Sequence, residues 1–214
     1  MDVSRIRSWA PAPETAKATT GVVDVWRADL AGVGDELEDL LCPQERERAA
    51  RIAPERSRGI APERNRILWA RSRGVLRALL ARYLDRDPRA LRFVLGPHGK
   101  PALRGEGLRF NLSHSGPLML VAVSAGRNVG VDVERPRKRY TTEFLRTWVA
   151  HEAALKCRGS GLTAGPREGL LPADLWTAEL DAGPQAAAAA VAVEGGQCEL
   201  HCWEWRDFYN LPVD

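Results

Sequence analysis

Nowhere in this 214-residue chain does an apolar run approach the ~20 residues needed to cross a bilayer as a helix. The first twenty residues hold no apolar core of signal-peptide length and read as a polar, proline-containing arm. Cysteine is scarce: Cys42, Cys157, Cys198 and Cys202 are scattered, and no C-x-x-C pair exists. Reduced thiols in a cytoplasmic protein are the better reading of this spacing. The segment "CELHC" offers two thiols and His201, but a structural zinc site needs a fourth ligand, and none lies at a usual spacing. No G-x-S-x-G elbow is present, which argues against a serine hydrolase. "GPHGKP" is no phosphate-binding Walker loop, because Lys100 is followed by Pro101 rather than Ser or Thr. Seven tryptophans invite a base-stacking role, but without a recognition motif they read as core residues.

An excess of one sign of charge is also nearly lacking overall, since the net charge is only +3. Its distribution is uneven: Glu45 to Arg92 contains fourteen arginines against six acids. Such a stretch fits a nucleic acid, a polyphosphate ligand, an acidic protein, or simply a solvated helix surface. An arginine-driven RNA-binding module is therefore one reading to test.

Along the chain, "GVVDVWRADL" alternates as a strand ending near Arg27, and "GDELEDLL" and "PQERERAARI" are expected as helices. "IAPER" occurs twice, at 52–56 and 60–64, and reads as a local duplication lengthening a connection. Ile67, Leu68, Val75, Leu76, Leu79, Leu80, Tyr83 and Leu84 recur at helical spacing, which predicts a helix over 64–84 with its arginines mostly off the apolar stripe. Short strands follow: "LRFVL", "LRFNLSHS", "PLMLVAVS" and "NVGVDVE", the last two expected as an antiparallel hairpin through "AGRN". A helix over 141–158 and three more strands, "LWTAELDAG", "AAAAAVAV" and "CELHCWEW", complete the chain. The order predicts an α+β protein of two similar halves, 1–126 and 127–214.

The chemistry concentrates in a few residues. Asp132 and Glu134 are i and i+2 in a strand, so they share one face ~6.5–7 Å apart. They can converge on one cation, with Mg²⁺ favoured by hard carboxylate oxygens, or they can pair with neighbouring Arg135, Arg137, Lys138 and Arg139 on an exposed edge. Trp148, Glu152, Leu155 and Lys156 share a helical face. Glu152 and Lys156 are either an ordinary helix pair or a base or metal ligand beside a phosphate-holding cation. His114, Ser113 and Lys100 add a proton-transfer group and phosphate partners at element ends, the inventory of a phosphoryl-transfer site.

"GKP", "FNLSHS", "GVDVE" and "WVAHEAALKCRGSGL", in this order, resemble the Sfp-type 4′-phosphopantetheinyl transferases, with likeness from about Val23 to Leu162. The resemblance implies an α+β fold of two pseudosymmetric halves with the active site in the cleft between them. It implies transfer of phosphopantetheine from coenzyme A to a serine of an acyl or peptidyl carrier protein, by a monomer with an acidic partner surface. Asp132, Glu134 and Glu152 would hold Mg²⁺; Glu152 would also serve as base, and Lys156 would neutralise the leaving 3′,5′-ADP. Arg73, Lys100, Ser113 and His114 would grip phosphate. His151, standing where the family's W-x-x-K-E helix carries lysine, would do so when protonated. The link from Glu134 to Trp148 is shorter than the family's and lacks its "RFFS" helical segment, which normally borders the carrier. This gap and His151 define a second reading, a non-catalytic relative that binds coenzyme A or a carrier.

Overall fold

The computed structural model describes residues 5–6, 8–52, 62–161 and 173–206. Two short strands, β1 (Arg5–Ile6) and β2 (Ala10–Pro11), precede the long β3 (Val22–Asp29), which runs two residues past its expected end. "GDELEDLL" forms a 3-10 stretch, Asp35–Leu40, and not an α-helix. The reason is local: Pro43 pushes Cys42 into extended backbone, so the chain must break before α1 (Pro43–Ala50) can start. The arginine-rich helix α2 spans Pro62–Leu84, with a proline at its first position. Most of the "IAPER" duplication, residues 53–61, lies outside the described residues.

Beyond a short turn come β4 (Phe93–Leu95), β5 (Pro101–Leu103), β6 (Leu108–Ser115), β7 (Leu118–Ala125) and β8 (Val129–Glu134). Helix α3 (Thr142–Arg158) and strands β9 (Leu175–Leu180), β10 (Ala188–Glu194) and β11 (Glu199–Glu204) follow. Strands β4 and β5 pair with each other; the rest form a four-stranded sheet, β1-β9-β10-β8, and a five-stranded sheet, β2-β11-β3-β7-β6. The architecture is α+β. Edge strands cross between the sheets, since β1 joins the later strands and β11 lies parallel to β3.

Strands β7 and β8 do not make the expected hairpin. Both edges of β7 are taken, by β3 and β6, so the turn at 126–128 carries the chain into the other sheet, where β8 pairs with β10. Both faces of β7 and β8 are apolar because each sheet is covered twice. Trp26, Phe110, Val121 and Val123 pack under Leu76, Leu79 and Leu80 of α2. The opposite face of that sheet, with Val23, Val25, Leu120 and Ala122, meets Val129, Val131, Val133, Val191 and Val193 of the second sheet. On the far side of the second sheet, Leu145, Val149, Ala153, Ala154 and Cys157 of α3 lie on Ala188, Ala190 and Ala192. The layers therefore run helix, sheet, sheet, helix. An alanine-rich β10 gives α3 a shallow bed, so the helix backbone comes close to the strands.

Candidate active site

Three alternate residues of β6 reach across to β8. Asn111 Oδ1 accepts a hydrogen bond from the Val131 amide (2.9 Å), Ser113 Oγ donates to Asp132 Oδ1 (2.7 Å), and Ser115 Oγ donates to Glu134 Oε2 (3.0 Å). The period of two in "FNLSHS" puts these three on one face, while Phe110, Leu112 and His114 occupy the other. The two sequence motifs thus form one polar seam between sheets. Ser113, expected at phosphate, is bonded here to the Asp132 carboxylate.

Helix α3 supplies the rest. It starts at Thr141, whose Oγ1 accepts from the Phe144 amide (3.1 Å), and ends at Gly159, whose φ of 69° favours glycine. Its approach to the sheet depends on Gly130 of β8: a methyl group there would sit 2.0 Å from Ala153 O and 2.4 Å from Cys157 N. This contact places Lys156 over Asp132, with Nζ donating to Asp132 Oδ1 (2.5 Å) and to Ser113 Oγ (3.1 Å). Lys100 is engaged elsewhere. Its half-buried ammonium donates to the carbonyls of Val129 (3.0 Å) and Cys157 (3.1 Å), fastening the end of α3 to β8. Burial lowers its pKa, and the helix C-terminus suits the remaining charge.

Asp132 and Glu152 are each only 5% exposed. Burial raises the Glu152 pKa, the negative charge of Asp132 and then of Glu134 adds to this, and Lys156 and His151 oppose it. The three acids therefore feel one another. Glu152 makes no hydrogen bond or ion pair among the described residues. Glu134 is half-buried and bound by Arg137 Nη2 at 2.8 and 3.0 Å, the neighbouring-cation pairing expected of this acid. His151 Nε2 is buried without a partner.

The chemistry of this donor set fits a divalent cation, although among the described residues no three His, Cys, Asp or Glu side chains converge closely enough to hold a metal by themselves. Mg²⁺ ordinarily takes one or two carboxylates and completes its shell with water and substrate phosphate, so convergence of three is not required.

On the other face of β6 opens a cleft of about 1150 Å³. Arg48, Arg51, Arg73, Arg77, Arg92 and His114 line it against a single acid, Glu45. His114 stands open to solvent within this concavity; surrounding protein and the Lys156 ammonium lower its pKa, while a backbone hydrogen bond with Gly116 opposes them. His114 and Lys156 are the join between the cleft and the acids, none of which lines the cleft itself.

Glu45 is the residue that sequence reading missed. Its carboxylate accepts from Arg73 (3.0 and 2.8 Å) and Arg77 (2.6 Å), and also from the Cys42 amide (3.1 Å). Burial alone would raise its pKa, yet the two arginines hold it below the usual range. Arg77, 1% exposed, donates further to the carbonyls of Pro88 and Leu91. The expectation that the α2 arginines face water or ligand is corrected here: Arg77 is a core residue, and Arg73 is pinned at the cleft wall. The signal available was Glu45 three residues past the α1 N-cap, the spacing of a capping box.

No family model matches the chain. Among curated proteins, it is 31% identical over 189 residues to the 4′-phosphopantetheinyl transferase HetI of Nostoc sp., covering 72% of this chain and 76% of that protein. A putative 4′-phosphopantetheinyl transferase of Synechocystis sp. is 34% identical over 119 residues, 42% of this chain and 48% of the relative. The 4′-phosphopantetheinyl transferase AcpT of Salmonella typhi is 34% identical over 110 residues, 39% and 56% of the two chains. The α+β fold and these likenesses define a transferase. The chain belongs to the 4′-phosphopantetheinyl transferase family.

Proposed function

We propose that the protein transfers 4′-phosphopantetheine from coenzyme A to a serine of an acyl or peptidyl carrier protein, with Mg²⁺ as cofactor. The observation that carries this is a buried carboxylate of raised pKa, Glu152, beside Asp132 and Lys156, whose ammonium also acts on His114 in the wall of a large arginine-lined cleft. The cleft suits a ligand with several phosphates. In the reaction, the carrier serine Oγ forms a bond to the pantetheine-bearing phosphorus as the diphosphate P–O bond breaks. Glu152 takes the serine proton, and a raised pKa makes a carboxylate a better acceptor near neutral pH. Lys156 offsets charge on departing 3′,5′-ADP.

Arg73 and His114 hold phosphate from the cleft side; with the pKa of His114 lowered, it does so mainly as a hydrogen-bond donor. Ser113 and Lys100 are assigned here as supports of Asp132 and of the α3–β8 junction, one step removed from phosphate. His151 lies beside Glu152 and tunes its charge. Asp132, Glu134 and Glu152 are the carboxylates that would be offered to Mg²⁺, one or two of them directly and the rest through water, and the ion when bound would neutralise diphosphate charge. The division into halves 1–126 and 127–214 is kept as part of this reading. Incubation with coenzyme A, Mg²⁺ and apo carrier proteins, read by carrier mass, is expected to give a phosphopantetheine adduct lost with chelator and with Glu152→Ala. Coenzyme A binding without an adduct on any carrier refutes transfer, and binding of RNA but not coenzyme A refutes the phosphate-ligand reading altogether.

A further inference from the structure

Strand β8, which carries Asp132 and Glu134, stands at the edge of its sheet: β10 flanks it on one side, and no strand of the described residues pairs with the other. The carbonyls of Glu134 and Asn128 accept from Ala187 (2.8 Å) and Glu194 (2.9 Å) at the two ends of the β10 pairing. Backbone groups alternate in direction along an antiparallel strand, so residues 129, 131 and 135 turn theirs to the unpaired edge. That edge is shut off from water, since Val131 is 0% exposed. A buried amide without a partner is costly, so something has to take the place of a ladder.

Side chains do so. Lys100 Nζ donates to the Val129 carbonyl (3.0 Å), Asn111 Oδ1 accepts from the Val131 amide (2.9 Å), and Ser115 Oγ accepts from the Arg135 amide (3.2 Å). Two of the three belong to β6, and its register shows that their polarity is out of pattern. Asn111, Ser113 and Ser115 lie opposite Ala122, Leu120 and Leu118 of β7. Those three β7 residues belong to the apolar layer between the sheets. A strand that simply continued the layer would carry apolar side chains at 111, 113 and 115. Asn111 is 4% exposed, a polar residue spent inside the molecule. Its bond also differs from the other two, because it alone reaches an amide within β8. Val131 lies between Gly130, against which the α3 backbone packs, and Asp132.

We infer that Asn111 is a positioning residue: by holding the Val131 amide it fixes the stretch of backbone on which Asp132 is mounted, and so sets where that carboxylate meets Lys156 and an incoming divalent cation. This rests on the transferase reading and adds a residue to its site. Asn111 acts from the face of β6 turned away from the arginine-lined cleft, so its effect reaches the acids and not the phosphates of the cleft. With β10 on one side only, β8 depends on these side-chain bonds for its position relative to β6. Without Asn111 the Val131 amide has to turn toward another partner, and Asp132, the next residue, turns with it. Groups that orient metal-binding carboxylates from behind change metal affinity by ~10–100-fold when they are lost.

The test separates the metal from the rest of the site. Mg²⁺ is titrated calorimetrically into the full-length protein with saturating coenzyme A and no carrier, exchange of the Val131 amide is followed by NMR, and carrier loading is measured separately. Asn111→Leu keeps the bulk of asparagine and removes the acceptor. It is expected to weaken Mg²⁺ binding ~10-fold or more and to lose the exchange protection of Val131. Asn111→Asp keeps an acceptor at the same distance and is expected to retain that protection. Coenzyme A affinity at saturating Mg²⁺ stays within error of wild type in Asn111→Leu, which general loosening of the fold would not allow. Asn111→Ala is read in the same way if the leucine variant does not fold. Mg²⁺ affinity within twofold of wild type in Asn111→Leu and Asn111→Ala overturns the positioning role while transfer stands. So does a loss of Mg²⁺ affinity matched by an equal loss of coenzyme A affinity at saturating Mg²⁺. Wild type that neither binds Mg²⁺ nor loads a carrier refutes the transferase reading and the positioning role with it.

Discussion

Replacing Gly130 with alanine tests how the site is assembled. The added methyl would lie 2.0 Å from Ala153 O and 2.4 Å from Cys157 N, the two ends of one helical hydrogen bond in α3. Both atoms are backbone, so no side-chain rotation relieves the clash, and α3 must retreat by roughly 1 Å in a packed interior. Overpacking on this scale costs ~1–3 kcal/mol, which lowers Tm by ~2–12 °C for a protein of this size. The chemical effect is larger. Glu152 and Lys156 move with α3, Asp132 stays on β8, and the 2.5 Å Lys156–Asp132 contact opens. A 1 Å misplacement of reacting groups slows a reaction by ~10²-fold. Thermal unfolding together with single-turnover carrier loading, read by mass, measures both. Gly107→Ala is the control, because nothing lies within 4 Å of a methyl there and its φ is not positive. A Gly130→Ala protein with the melting temperature and loading rate of wild type would refute the idea that backbone contact between α3 and β8 sets the site.

Two buried glutamates give opposite pH signatures. Glu152 has a raised pKa, so the folded state holds its proton more tightly and stability falls as pH rises through that value. Glu152→Gln is accordingly expected to unfold at a higher temperature than wild type at pH 7–8 in chelator, a gain that fades below the usual carboxylate range; a loss of stability at pH 7–8 contradicts it. Glu45 has a lowered pKa, so its contribution is present above the usual range and lost as pH falls through the lowered value. Glu45→Ala leaves buried Arg77 without its carboxylate and is expected to cost ~3–5 kcal/mol, ~10 °C in Tm, at neutral pH and much less in acid. Calorimetry across pH checks both. Lys100→Met removes two hydrogen bonds at the α3–β8 junction and is expected to cost ~1–3 kcal/mol while leaving coenzyme A affinity unchanged; isothermal titration showing a large affinity loss would return Lys100 to the phosphate site.

Much of this was legible in the sequence where side-chain period and chemistry coincide. The alternation of "FNLSHS" and "GVDVE" put Asp132, Glu134 and Ser113 on definite faces, and the helical period put Glu152 and Lys156 on one. Pairing was less legible: continuous apolar runs such as "PLMLVAVS" say that a strand is covered on both sides, not which strands flank it. Hence β7 and β8 read as a hairpin although they lie in different sheets. Arginine misled for a related reason. Composition shows its charge but not its partner, and the partner of Arg73 and Arg77 is Glu45, 28 and 32 residues away. Lys100, in a motif of turn residues, likewise gave no sign that its ammonium reaches two carbonyls on distant elements.

Charge accounts for why the acids rest as they do. Asp132, Glu134 and Glu152 are three carboxylates, and the cations bonded to them are Lys156 and Arg137. One negative charge in the group remains uncompensated, and it falls on Glu152, the member with no bonded partner. Such a site gains most from a ligand that brings a cation together with phosphates: the cation answers the excess carboxylate, and the phosphates give Lys156 a new anion. Arg137 is different, since it is the cation that already occupies Glu134. Removing it leaves Glu134 open to a divalent ion, so Arg137→Ala should tighten Mg²⁺ binding, read by isothermal titration. Weaker Mg²⁺ binding would show that Arg137 supports Glu134 and does not compete for it.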